Sequence, residues 1–146
     1  MLRTSDRITG LRGLAGSGKT TALRELVAAC KEARVELVFC APTTAATEVL
    51  RTEGFEAVTL QSLLLTKPAL SARRLVVLDE AGAVGMDDMK RLFDLARDAR
   101  IVLSGDTGQH ASVARGDALR IAMQLGLTRQ GETQEQSRRK TTVAVP

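Results

Sequence analysis

Four short apolar runs, at residues 8–12, 37–40, 75–78 and 101–103, lead straight into polar or glycine-bearing clusters: GLAGSGKT, APTT, DEAG and SGDTGQ. The last three runs are nearly continuous in apolar character, the pattern of strands buried on both faces of a parallel sheet. Helical spacing recurs between them. Leu23, Leu26, Val27 and Cys30 fall at i, i+3, i+4 and i+7, as do Met89, Leu92, Phe93 and Ala96, and again Ala118, Ile121, Ala122 and Leu125. Ala46, Val49 and Leu50 mark a shorter helix before Gly54. Alternating strands and helices predict an α/β domain with a central parallel sheet flanked by helices. Open sheets of this kind bind ligands at the carboxyl ends of their strands, so the four clusters are expected along one edge.

Residues 13–20, GLAGSGKT, fit the phosphate-loop pattern GxxxxGK[ST] between a strand and an amphipathic helix. The glycines, Gly13, Gly16 and Gly18, let backbone N–H groups curl around phosphate oxygens, with Ala15 and Ser17 in the same loop and Thr21 just beyond it. The helix N-terminus adds a favourable dipole. Lys19 is expected on the β- and γ-phosphates and the Thr20 hydroxyl on Mg²⁺.

Asp79 and Glu80 close the third apolar run. An aspartate there suits Mg²⁺, and the adjacent glutamate suits orienting and deprotonating an attacking water. After the fourth run, Gln109 is long, neutral and able both to donate and to accept, which suits sensing a γ-phosphate or its attacking water. Asp106 either contacts the metal's water shell or closes the turn. His110, the single histidine, receives no chemical role.

Size and composition narrow the setting. With 146 residues the chain is the size of one domain, and 44% hydrophobic with 26% charged residues excludes a disordered or membrane-embedded chain. Cys30 and Cys40 lie in apolar stretches without CxxC spacing and read as buried, reduced thiols of a cytoplasmic protein. The net charge of +4 is compatible with nucleic acid but equally with a plain basic surface. Three phenylalanines and no Trp or Tyr leave few platforms for stacking bases, so strand binding would rest on backbone contacts. The stretch after Leu127 is polar and without apolar periodicity, expected to be loosely ordered or docked at an edge.

Together the ordered clusters resemble the first motor domain of superfamily 1 DNA helicases, the RecD-like group in particular. GLAGSGKT, APTTAA (41–46), TLQSLL (59–64), VVLDEAG (76–82) and SGDTGQH (104–110) are similar to motifs I, Ia, Ic, II and III. Residues 104–120 look closer still to the helicase part of MobF-type conjugative relaxases. The resemblance implies a single RecA-like P-loop NTPase domain over residues 1–126, with 127–146 a polar tail holding the start of the next motif. It implies ATP and Mg²⁺ as cofactors, with Lys19, Glu80 and Gln109 catalytic and Thr20 and Asp79 holding the metal. Single-stranded DNA is the implied partner, its phosphates facing Thr43 and Thr59; at Thr43 a helix N-cap beside Pro42 is an equal alternative. Arg138 aligns loosely with an arginine that reaches the γ-phosphate. Relatives place an adenine-recognising helix before motif I and a second motor domain after motif III. The expectation is therefore an ATP-binding piece of a longer relaxase-type helicase, feeble as an ATPase and unable to unwind alone. A small-molecule P-loop kinase and a non-catalytic nucleotide-binding remnant are the competing readings.

Overall fold

The computed structural model describes residues 7–12, 18–105 and 129–132. Six strands form one sheet there: β1 (Ile8–Arg12), β2 (Glu36–Ala41), β3 (Ala57–Thr59), β4 (Arg74–Leu78), β5 (Arg100–Gly105) and β6 (Arg129–Glu132), in the order β3-β2-β4-β5-β1-β6. Every pairing is parallel. The helices are α1 (Lys19–Glu32), α2 (Thr44–Thr52), α3 (Leu60–Thr66) and α4 (Met86–Leu95), with a 3-10 turn at Ala81–Ala83.

Side-chain alternation along the strands divides the core into two layers. Leu75 and Val77 of β4, Phe39 and Ala41 of β2 and Val102 of β5 pack with Leu23, Leu26 and Cys30 of α1 and Ala46 and Leu50 of α2. Val76, Leu78, Cys40, Ile101 and Leu103 point the other way, onto Leu60, Leu63 and Leu64 of α3 and Met89 and Leu92 of α4. Both faces of β4 are thus covered, which is why its sequence shows no polar alternation. Each fully buried leucine contributes about 1.5–3 kcal/mol relative to exposure, so this three-layer packing is the main stabilising term.

The four strands expected from apolar runs are all present, the first with its expected bounds and the other three longer. β3, α3 and β6 were not foreseen. β3 carries only three residues, α3 follows it immediately, and β6 lies in the polar stretch after Leu127, paired to β1 with Thr9 opposite Arg129. The helix expected around Ala118–Leu125 lies outside the described residues. Cys30 and Cys40 are free and buried on opposite sides of the sheet, so the sheet itself separates them. Among the described residues no helix is long and apolar enough to cross a membrane.

Candidate functional site

The sheet order decides which clusters meet. β5 lies between β1 and β4, with Leu11 opposite Ser104 and Leu78 opposite Leu103. The carboxyl ends of three adjacent strands therefore converge, and Asp79 stands beside Ser104 although 25 residues separate them. Lys19, first residue of α1, donates to both Asp79 oxygens, at 2.9 Å to Oδ1 and 3.3 Å to Oδ2. The Ser104 hydroxyl donates to the same Oδ1 at 2.9 Å. Asp79 is 6% exposed and Ser104 is 0% exposed, so the carboxylate is buried but fully engaged. Its own backbone N–H donates to the Cys40 carbonyl at 2.9 Å, fixing β4 to β2 at this level.

Glu80 follows in a different environment. It is exposed, and its backbone adopts φ 51°, ψ 37°, a left-handed conformation that costs a non-glycine residue about 1–2 kcal/mol. The turn is held by Ala83 N–H donating to the Glu80 carbonyl at 2.9 Å. Gly105 passes directly against it: a Cβ there would stand 3.3 Å from the Ala81 nitrogen and 3.5 Å from that of Gly82. A side chain there would crowd the turn, so glycine eases this close approach of β5.

The start of α1 carries no negative charge of its own. Gly18 is its N-cap with no side-chain hydrogen bond, and no acidic residue stands in the first turn. The helix dipole favours a negative group at this end. Thr20 donates its hydroxyl to Glu53 Oε1 at 3.1 Å rather than to Asp79. Thr21 is exposed on the same turn.

Thr43 and Thr59 both cap helices. Thr43 accepts from the Ala46 N–H at 3.1 Å to start α2, and Thr59 accepts from the Ser62 N–H at 3.1 Å to start α3. Ala41 and Thr59 are opposite one another in the β2–β3 pair, so both caps occupy one corner of the same sheet edge. Phe39 and Phe55 stack on each other with centroids 4.8 Å apart and are buried, while Phe93 is packed against the core. Among the described residues no phenylalanine ring is exposed.

Of the residues expected from sequence, the structure joins Lys19 with Asp79, sets Glu80 next to them in the chain, and places Thr43 and Thr59 along the edge. Gly13, Ala15, Gly16, Ser17, Asp106, Gln109, His110 and Arg138 lie outside the described residues. Three further residues belong to the site. Ser104 was visible in sequence as a hydroxyl closing an apolar strand, Gly105 as the glycine after it, and Glu53 left no signal at all.

The sequence that builds this arrangement is similar to known proteins. Residues 1–143 fit the family described as AAA domain. The chain belongs to that family. It is 36% identical over 135 residues to the multifunctional conjugation protein TraI of Escherichia coli K12, covering 83% of this chain and 8% of that protein. It is 32% identical over 149 residues to the RecBCD enzyme subunit RecD of Mycobacterium tuberculosis, covering 79% of this chain and 26% of that one. With these relatives it is a motor domain of the RecD-like, TraI-like superfamily 1 helicase type, and its α/β fold is RecA-like. The chain spans only a small part of the length of either relative.

Proposed function

We propose that this domain binds ATP with Mg²⁺ and hydrolyses it, and that the turnover serves movement along single-stranded DNA. The observation that carries the reading is the convergence of Lys19, at the start of α1, with Asp79 and Ser104 at the ends of β4 and β5. The donor set also fits the metal. Thr20 offers a hydroxyl and Asp79 a carboxylate, both hard oxygens, and among the described residues no cluster of three or more His, Cys, Asp or Glu forms a protein cage. Mg²⁺ is typically held in this way, by few protein oxygens alongside phosphate and water. When bound it neutralises charge on the β- and γ-phosphate oxygens.

The chain's own residues then divide the work. The N–H groups opening α1 receive phosphate oxygens, and Lys19 exchanges Asp79 for the β- and γ-phosphates. Glu80 accepts a proton from water as the water oxygen bonds to the γ-phosphorus and the bond to the bridging oxygen breaks, releasing ADP and phosphate. Glu80 is exposed where Asp79 is buried, which suits two neighbouring acids to two tasks. Thr43 and Thr59 spend their oxygens on capping but keep hydroxyl protons, which a DNA phosphate can accept without reading sequence. The resemblance assigns Gln109 the coupling of nucleotide state to DNA and, by a loose alignment, Arg138 a contact with the γ-phosphate; both lie outside the described residues.

Phosphate release measured with and without single-stranded DNA tests the reading. Wild type hydrolyses ATP faster with DNA, Lys19→Ala loses nucleotide binding, and Glu80→Gln binds ATP without turning it over. Normal hydrolysis by Glu80→Gln removes the assigned base, and DNA-independent turnover removes the link to a strand.

A further inference from the structure

We propose that Glu53 is a positioning residue for the Thr20 hydroxyl, preparing it as a ligand for Mg²⁺; this rests on the nucleotide reading above. Glu53 lies in none of the sequence clusters. It reaches the site because α2 ends against α1, and its Oε1 accepts the Thr20 hydroxyl proton at 3.1 Å. The Arg24 guanidinium donates to the Glu53 carbonyl at 3.5 Å, a second link between the two helices.

The carboxylate is delivered by a rigid piece of backbone. Glu53 is the C-cap of α2, with its N–H on the Val49 carbonyl at 3.1 Å. Gly54 follows at φ 94°, and its N–H donates to the Arg51 carbonyl at 3.0 Å, while the Phe55 N–H donates to the Leu50 carbonyl at 3.0 Å. That pair of bonds around a left-handed glycine is a Schellman motif. Phe55 is then anchored by its stacking on Phe39. Glu53 therefore starts from a fixed backbone rather than a loose loop.

Hydroxyl chemistry gives the contact its direction. A threonine hydroxyl has one proton and two lone pairs. Donating the proton to Glu53 turns both lone pairs toward other partners, and a carboxylate acceptor makes the bond charge-assisted and the oxygen more electron-rich. A cation is thus offered a lone pair and not a proton. The same negative charge repels bare phosphate, so Glu53 favours nucleotide with its metal over nucleotide without it. Partners of this kind behind a metal ligand typically change metal affinity about 10–100-fold.

The test titrates the full 146-residue chain with a fluorescent ADP, at graded free Mg²⁺ and in EDTA. Glu53→Gln and Glu53→Ala are expected to raise the Mg²⁺ midpoint by about tenfold while binding in EDTA is unchanged or tighter. In a Thr20→Val background, Glu53→Gln should add no further shift, because the effect passes through that hydroxyl. Unchanged midpoints in folded variants overturn the assignment and leave nucleotide binding intact. A lower midpoint overturns it too, showing that Glu53 restrains Thr20 instead. Absence of any nucleotide binding by wild type overturns the nucleotide reading as well.

Discussion

Ser104 and Asp79 share a hydrogen bond of 2.9 Å across two adjacent strands, and the hydroxyl is completely buried. It gives the Asp79 carboxylate a second donor besides Lys19, one that the proposed exchange of Lys19 onto a phosphate would leave in place. Replacing it removes a neutral donor to a charged acceptor, worth about 1.5–3 kcal/mol. Ser104→Ala is therefore expected to lower unfolding free energy by that order in urea melts. It should also raise the Mg²⁺ concentration needed for half-maximal ATP turnover. A melt and a Mg²⁺ profile both equal to wild type would show that Asp79 needs only Lys19.

The close passage of Gly105 against the Glu80–Gly82 turn makes a methyl group informative. Gly105→Ala places a Cβ at 3.3 Å from the Ala81 nitrogen, tighter than most such contacts, so the turn must shift by a few tenths of an ångström. Turnover is expected to fall at least about tenfold, since small misplacements of reacting groups are costly, while nucleotide affinity stays close to wild type. Equal losses in binding and turnover would place the defect in the phosphate loop instead.

Strain at Glu80 sets stability against chemistry. A glycine takes φ 51° without the penalty a side chain pays, so Glu80→Gly should stabilise the fold by about 1 kcal/mol in a thermal or urea melt. The same variant should lose ATP turnover. A less stable Glu80→Gly protein would mean that the glutamate side chain, not its backbone, dominates the energetics of the turn.

The two capping threonines can be separated into structural and ligand roles. Thr43→Ala and Thr59→Ala each lose an N-cap and should cost about 0.5–2 kcal/mol. Thr43→Asp keeps a capping oxygen but presents a negative charge to phosphate, so it should fold like wild type and bind single-stranded DNA more weakly. Undiminished DNA binding by Thr43→Asp, read by fluorescence anisotropy, would confine Thr43 to the cap.

Alkaline pH should expose the burial of Cys40. Burial pushes its thiol up from the ordinary 9.0 to about 12, and the Asp79 carboxylate adds to the shift. The folded state keeps the proton that the unfolded chain releases near pH 9. This contribution is fully present below pH 9 and is lost toward pH 12, at up to about 1.4 kcal/mol per pH unit. Urea melts of wild type and Cys40→Ala between pH 8 and pH 11 check it. Wild type should lose stability the more steeply, and parallel slopes would contradict the assignment.

What could be read from sequence follows from how each element is stabilised. β4, RLVVL, and the core of β2, LVFC, announce themselves because both their faces are buried. β6, RQGE, has no apolar residue and joins the sheet through backbone pairing with β1, so no hydropathy pattern marks it. β3 has three residues, too few to establish an alternation, and α3 begins at the very next position. Lys19, Asp79 and Glu80 stood out in the sequence as the types suited to phosphate and metal chemistry, and the structure brings the first two into contact. Glu53 did not stand out, since its place depends on where α2 stops against α1, a tertiary fact with no local spacing.

The brevity of β3 has a consequence for how such a sheet behaves in a crowded solution. An edge strand offers its unpaired N–H and C=O groups to any extended chain that can lie alongside, and long flat edges invite self-association. Three residues, ending in a threonine that turns at once into α3, give such a chain almost no ladder to grip. The corner that carries Thr43 and Thr59 can therefore stay uncovered without seeding aggregates. The surface proposed to meet single-stranded DNA is, by the same shortness, a poor template for another copy of itself.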